Sequence, residues 1–519
     1  MPSFFRLESP ILRALYLISA IAPLWLTKYP PLTDLPQHAG QIALILQLLH
    51  GDSPWQDLVS FNYFTPYLFG YGVGSLLALL FPIVAAVKIV LSVTLIAFYG
   101  LSTELRRRLQ APAELDWLIL PGFFGFAYLF GFYTFLVAAP VGIAFILVSI
   151  HYSQRSSFGS GLLVAATGVF LFFCHGLIFM ASAAVGGLYA IAASRSARGA
   201  ALRLLPYYLM AALAVAYFLA AKSAEVNTAS VTLPWEWDLA LSRPIKFVYC
   251  LWNENHIKGH SVLQQVPHMI FFAVLLLTPF LLGYRFRPTL RTGIPFAVIM
   301  LIGLLVPNTA IGVGYLYERF SIFILPFYIL QFVRPAPGEP QSHRRTLAWR
   351  HVMLVMLPMI CFLHSGWRSW QAIESERETQ AFDTVIRSIP DGAHVLALVR
   401  DKRSVSTNND YAYQHFPLWL QAEHKAFVDP NFAMQMAMVV RYRPQVFDSA
   451  AFLRMYDLGE TPQVFDWVQD KADRYDYYIV RGAGRPLDTL LQAPGCVNTL
   501  ARAGGWVVLK RCAAVADKT

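Results

Sequence analysis

Long apolar runs separated by short polar segments dominate the first 365 residues. Eleven of these runs are long enough to cross, or nearly cross, a bilayer, which takes about 20 helical residues. They lie at 11–27, 84–103, 117–131, 134–150, 159–173, 177–193, 204–221, 266–283, 293–306, 316–333 and 351–365. The pattern predicts a polytopic α-helical membrane protein with about eleven transmembrane helices.

One further apolar stretch, at 67–82, has a different pattern. It is short, rich in glycine and bounded by Pro66 and Pro82. These features predict a re-entrant or juxtamembrane helix, which a membrane tolerates only where protein covers its ends.

Basic residues predict the orientation of the helices, because Lys and Arg near span ends stay on the cytoplasmic side. Arginines follow every second run, at 106–108, 155, 195–203, 285–291 and 334–350. All of them lie inside if the N-terminus is cytoplasmic and the first run is a retained helix, not a cleaved signal peptide. The segments 28–66 and 222–265 and the tail from residue 366 are then outside.

The tail from residue 366 has the mixed pattern of a small water-facing domain. Helix-like and strand-like patches alternate along it, with helices predicted at 374–389 and 464–472 and strands at 394–399, 477–480 and 506–510. We therefore predict two domains, a transmembrane domain at 1–365 and an extracytoplasmic α/β domain at 366–519.

Composition excludes a soluble enzyme. The chain is 56% hydrophobic and only 14% charged, against roughly 25% charged residues in an ordinary soluble domain. The net charge of +10 is accounted for by cytoplasmic loops, so it does not indicate a nucleic-acid partner.

Two of the five cysteines, Cys496 and Cys512, bracket the last predicted strand. In an oxidising exterior this spacing suits a disulfide that clamps a hairpin. The alternative is two unpaired thiols.

Polar residues that recur at the predicted outer surface are candidates for chemistry, because such groups are costly near hydrocarbon. Asp34 follows the first run and can act as a base that takes a proton from an attacking hydroxyl, or as a metal ligand. The same residue also fits the N-cap of a helix that begins before Pro36. His38 lies one helical turn later and can share a metal or a proton with Asp34, or be a hydrogen-bonded residue with no catalytic role.

Further candidates lie in three other outward positions. His175 is in a turn between two apolar runs, where a polar residue is expected in any case. The second outward segment carries Glu254, His256 and His260, which fit either a mobile loop that recognises substrate or, less well, an i, i+4 histidine pair for a metal. Arg319 enters the tenth run; its guanidinium suits a lipid-linked phosphate, an interfacial anchor or an ion pair with Glu318.

The combination of an early acid in Thr33-Asp34-Leu35-Pro36-Gln37-His38, about eleven spans, Arg319 before a Pro-containing helix and an outer C-terminal domain resembles the GT-C superfamily of membrane glycosyltransferases. The resemblance covers most of residues 1–365. It implies a GT-C-like fold in the bacterial inner membrane and an inverting transfer of sugar from a polyprenyl-phosphate donor to a lipid, glycan or protein.

Carried over to this chain, the resemblance implies that Asp34 is the first-loop acid, acting as base or metal ligand, and that Arg319 lies near the donor phosphate. Asp34 has no adjacent second acid, but inverting transfer needs one base because phosphate leaves without protonation. A divalent metal is therefore optional.

Two other classes remain open. A non-catalytic scaffold or sensor of envelope polymers would share this layout. A transporter would show paired halves and ionisable residues near the bilayer midplane, whereas the polar residues here gather at one surface.

Overall fold

The computed structural model describes residues 9–51, 53–223, 235–237, 242–252, 262–310, 313–335, 344–435, 437–446, 466–482, 490–491 and 497–512. The α-helices are α1 (Pro10–Trp25), α2 (Leu35–His50), α3 (Leu68–Ala78), α4 (Ile83–Arg108), α5 (Ile119–Phe123), α6 (Phe126–Phe130), α7 (Tyr133–Gln154), α8 (Phe158–Cys174), α9 (Gly176–Ala192), α10 (Ala197–Arg203), α11 (Leu205–Ser223), α12 (Arg243–Tyr249), α13 (Val262–Leu281), α14 (Leu290–Leu305), α15 (Ile324–Tyr328), α16 (Arg344–Ile386) and α17 (Leu418–His424). The strands are β1 (Val59–Phe61), β2 (Arg285–Phe286), β3 (Phe332–Val333), β4 (His394–Val399), β5 (Phe427–Asp429), β6 (Val440–Tyr442), β7 (Tyr477–Arg481), β8 (Val497–Ala503) and β9 (Trp506–Arg511).

All eleven apolar runs contain helix, but only some of the helices are long enough to span a membrane. Within the described ranges, four helical segments are long and apolar enough to cross a bilayer: 83–108, 113–130, 133–154 and 352–386. The pair 197–203 and 205–220, bent by 56°, makes a fifth if it is one span. Six other apolar helices have 10–17 residues, so the number of about eleven spans stays a prediction.

Helix α3 occupies the stretch for which a re-entrant or juxtamembrane helix was predicted. Its 11 residues extend over roughly 16 Å, about half the thickness of the hydrocarbon core. It is too short to cross the membrane alone, and it packs against α2.

The run at 316–333 is more broken than a single span. It consists of a 3-10 helix at Glu318–Phe323, the short α15 and a second 3-10 helix at Ile329–Gln331. Pro326 lies inside α15, where its missing N–H removes a helical hydrogen bond.

The chain divides into two compact units, one formed by residues 1–24, 90–220 and 234–370 and the other by 25–89, 221–233 and 371–519. The first outward loop thus belongs to the same unit as most of the tail. The predicted division into a transmembrane domain at 1–365 and an extracytoplasmic domain at 366–519 stays a prediction.

In the first unit, small residues allow the apolar helices to pack closely. A Cβ added at Gly142 of α7 would lie 2.6 Å from Ile178 of α9, and one at Gly168 of α8 would lie 2.7 Å from Met210 of α11. Close backbone approach through glycine is typical of helix contacts in membranes.

One buried carboxylate ties together helix ends of the first unit. Asp116 accepts two hydrogen bonds of 2.9 Å from Arg106, at the end of α4. Arg13 in α1 lies 3.1 Å from the same carboxylate.

The second unit contains a five-stranded sheet in the order β5-β4-β7-β9-β8. Strand β4 is parallel to β5 and β7, whereas β9 is antiparallel to β7 and β8. Three strands agree closely with the predicted strands at 394–399, 477–480 and 506–510.

The helix predicted at 464–472 is wrong in its described part. Residues 467–471 form turns, followed by a 3-10 helix at Ala472–Arg474. The Asp466 carboxylate accepts from the backbone N–H groups of Val468 and Gln469, as an N-cap does, and the N–H of Asp470 donates to the Asp466 carbonyl at 2.9 Å, so a single turn begins there. Lys471 has a left-handed φ of 47°, which ends any helix there.

The first outward loop is held within the second unit by several contacts. Helix α2 packs against α17, and β1 pairs antiparallel with β6, with Ser60 opposite Arg441. At the start of the loop, the Lys28 ammonium lies 2.5 Å from Asp383 and 3.0 Å from Glu423. These contacts fix the segment that leads into Asp34.

Candidate functional site

Asp34 occupies the N-cap position of α2, but its side chain makes no capping hydrogen bond. Its backbone is in the right-handed helical region (φ −92°, ψ −10°), whereas a capping residue normally has extended backbone. The side chain is buried, and Oδ1 lies 3.4 Å from Nε2 of His415. The capping alternative therefore does not describe this carboxylate.

His415 is a buried histidine that approaches the start of α2 from the C-terminal part of the second unit. Its Nδ1 lies 3.1 Å from Nε2 of Gln37, one turn into the helix. Its ring packs edge-on against Phe432, with centroids 5.5 Å apart. Burial lowers the pKa of His415 to about 3, helped by the nearby charge of Lys402, so the imidazole is neutral at physiological pH.

His38 lies on the same helix and is also buried. Its Nδ1 is 2.6 Å from the hydroxyl of Tyr71 in α3, and that hydroxyl lies 3.2 Å from the sulfur of Met438. The Phe432 ring contacts His38 as well as His415. His38 is thus held by hydrogen bonding and ring contacts close to the Asp34–His415 pair.

A metal at Asp34 and His38 has no third ligand in the part of the chain that the structure describes. No group of three or more His, Cys, Asp or Glu side chains there is placed to hold a metal ion. The described residues therefore do not fit a metal centre.

Arg319 and His175 lie in the other unit, and each contacts residues at the start of α7. The Arg319 guanidinium stacks 3.8 Å above the Phe132 ring and donates to the carbonyl groups of Tyr315, at 3.1 Å, and Gly314, at 2.8 Å. The His175 ring meets the Phe135 ring edge-on at 5.2 Å.

His175 also has a role in local structure. Its extended backbone (φ −170°) makes it the N-cap of α9, and its Nδ1 accepts from the N–H of Leu177 at 3.2 Å. A capping role accounts for this histidine without a substrate contact.

Four residues singled out in the sequence fall in ranges that the structure does not describe. Glu254, His256 and His260, all from the second outward segment, lie outside the described residues. Cys496 also lies outside them. Cys512 is disulfide-bonded. That its partner is Cys496 stays a prediction.

The sequence did not single out His415 as a site residue, and it did not single out Gln37 as a candidate separate from its neighbours Asp34 and His38. The two residues are 378 positions apart, and no local pattern around His415 distinguishes it from an ordinary buried histidine. Only the pairing of the first loop with the tail brings it to Asp34.

Comparison with known proteins supports the fold but gives no family. No protein-family model matches the chain, and no curated protein matches it either. The crystal structure of ArnT from Cupriavidus metallidurans, bound to undecaprenyl phosphate, is similar with a TM-score of 0.54 and 15% sequence identity. The similarity covers 98% of this chain and 99% of ArnT.

The fold and the apolar helices together define a helical membrane protein with a GT-C-like fold. The GT-C-like fold that the sequence resemblance implied is confirmed at the level of the fold.

Proposed function

We propose that this chain is a membrane glycosyltransferase that transfers a sugar from a polyprenyl-phosphate donor to a lipid, glycan or protein acceptor. The reaction takes place at the outer face of the inner membrane, with Asp34 as the base. The observation that carries the proposal is the full-length likeness to ArnT, a protein whose structure holds undecaprenyl phosphate.

The surroundings of Asp34 support its role as a base. A general base must be ionised and held in one orientation. The neutral His415 ring lies beside it, with Nε2 3.4 Å from Asp34 Oδ1. The side chain makes no capping hydrogen bond to α2, so helix capping does not account for the carboxylate.

The proposed step is an inverting displacement with one proton transfer. The acceptor hydroxyl gives its proton to Asp34, and its oxygen attacks the anomeric carbon of the sugar. The bond between that carbon and the phosphate oxygen breaks, and polyprenyl phosphate leaves with the electron pair. No acid is needed for the leaving group, since a phosphate is stable as an anion. No step depends on a metal.

Arg319 is proposed to hold the donor phosphate. Its guanidinium is oriented by two backbone carbonyl groups and by the Phe132 ring, so little side-chain entropy is lost on binding an anion. A planar guanidinium also matches two phosphate oxygens at once.

The test is transfer of labelled sugar in membranes from cells that express the chain, supplied with a panel of undecaprenyl-phosphate sugars. Asp34→Asn removes the base at nearly constant volume. Asp57→Asn is the matched control, because Asp57 is an exposed residue of the same loop. We expect Asp34→Asn to lower the rate by about 10²-fold or more and Asp57→Asn to leave it unchanged.

Two outcomes contradict the proposal. Equal rates for wild type and Asp34→Asn would exclude Asp34 as the base. Absence of transfer from every donor, with protein present at normal levels, would favour the non-catalytic scaffold.

A further inference from the structure

The amide of Gln37 has an orientation that its neighbours determine. Its Oε1 accepts from the backbone N–H of Phe432 at 2.8 Å, and its Nε2 donates to the carbonyl of Pro430 at 3.2 Å. A backbone N–H only donates and a carbonyl only accepts. The two ends of this amide therefore cannot be exchanged, and the atom that faces His415 is a donor.

This orientation determines the tautomer of His415. The Gln37 Nε2 group donates to His415 Nδ1 over 3.1 Å, so Nδ1 must carry a lone pair. A neutral imidazole has one protonated nitrogen, which is then Nε2. That nitrogen is the one that faces the carboxylate, with Nε2 lying 3.4 Å from Asp34 Oδ1.

We propose that His415 is a positioning residue for Asp34, and that Gln37 sets its tautomer. In the substrate complex, the Nε2–H group of His415 closes onto Asp34 Oδ1 and holds the carboxylate in one orientation for the acceptor hydroxyl. This inference rests on the proposed function. It reverses the order of a serine-protease triad, in which histidine is the base and aspartate sets the tautomer.

The surroundings of His415 favour a fixed ring. The side chain is 3% exposed, and the edge-on contact with Phe432 limits rotation of the ring. The 3.4 Å contact does not have the geometry of a hydrogen bond in this structure, and catalytic hydrogen bonds often tighten only once substrate is bound.

Two polar substitutions of similar size separate positioning from space filling. In His415→Gln the side-chain amide nitrogen can reach the former place of Nε2, whereas in His415→Asn it reaches only the place of Nδ1. We expect His415→Gln to keep kcat within a few-fold of wild type. His415→Asn should lose about tenfold or more in kcat with little change in KM, because a misplaced catalytic group affects the transition state more than binding.

A second measurement reads the tautomer without any activity. Heteronuclear NMR of the full chain with labelled histidine side chains, in detergent, distinguishes protonated from unprotonated ring nitrogens. The His415 signals are identified by their loss in His415→Gln. We expect a protonated Nε2 and an unprotonated Nδ1, and a changed Nε2 shift in Asp34→Asn.

The outcomes keep the two proposals apart. An active wild type with the proton on Nδ1, or with equal rates in His415→Gln and His415→Asn, overturns the positioning role alone. A wild type that transfers no sugar from any undecaprenyl-phosphate donor overturns the proposed function and the positioning role with it.

Discussion

Removal of the Asp429 carboxylate is predicted to destabilise the loop that holds Gln37. Asp429 ends β5 and is 2% exposed. It accepts from the hydroxyl of Tyr475 at 3.0 Å, from the amide of Asn431 at 3.2 Å and from the hydroxyl of Tyr442. The residues that follow it, Pro430 and Phe432, make the two backbone hydrogen bonds to the Gln37 amide.

The size of the effect follows from the groups left without an acceptor in Asp429→Ala. The Asn431 amide keeps its bond to the carbonyl of Val428. The half-buried His394 ring loses a longer contact, of 3.4 Å between Nε2 and the carboxylate. The two tyrosine hydroxyls are the buried groups that lose an acceptor. Each buried donor without a partner costs about 1–3 kcal/mol, which gives roughly 2–6 kcal/mol in total. Asp429→Asn keeps one carbonyl oxygen and should lose about 1–2 kcal/mol.

A double-mutant cycle with Tyr475→Phe provides the assay, with thermal or denaturant unfolding of the full chain in detergent. Tyr475→Phe destabilises the wild type but removes an orphaned hydroxyl from Asp429→Ala. The two substitutions should therefore be non-additive by about 1 kcal/mol or more. Additive losses, or a loss in Asp429→Ala no greater than in Asp429→Asn, would refute the reasoning.

Two further predictions concern His415 and Arg319. Because burial lowers the pKa of His415 to about 3, the unfolded chain binds a proton below pH 6.5 that the folded chain does not. This residue should therefore lower the free energy of unfolding by about 1.4 kcal/mol per pH unit as the pH falls from 6.5 towards 3. Unfolding measured at pH 7 and pH 5 should show a smaller loss of stability at pH 5 in His415→Gln than in wild type. Equal losses in the two proteins would contradict this prediction. Arg319→Lys keeps the charge but loses the planar guanidinium, so KM for the donor should rise about tenfold or more. The control Arg155→Lys, at an exposed arginine, should resemble wild type. An unchanged KM in Arg319→Lys would exclude donor binding through the guanidinium.

Elements with a strong local pattern were predictable from the sequence. Strand β4, at His394–Val399, was predicted at its observed boundaries because a short run of buried apolar residues between turns has few alternatives. Length and apolar character likewise identified the helices of the first unit. The predicted helix at 464–472 failed because Lys471 adopts a left-handed φ of 47°, which periodicity does not show, one turn after the Asp466 cap.

The candidate site was only half predictable for a similar reason. Asp34 and His38 were found because polar residues near apolar runs are costly and therefore informative. His415 was not, since it reaches Asp34 through the tertiary packing of α17 on α2 and of β6 on β1. Its importance depends on the tautomer, which is determined by contacts of Gln37 with backbone groups of residues 430 and 432.

The most direct test of the central claim is to measure release of undecaprenyl phosphate, since every acceptor would yield this same product. Membranes containing wild type, Asp34→Asn or Asp57→Asn would be incubated with undecaprenyl-phosphate sugars, and the lipid product quantified. The account predicts release by wild type and Asp57→Asn and a fall of about 10²-fold or more in Asp34→Asn. Equal release by wild type and Asp34→Asn, or none from any donor, would contradict it.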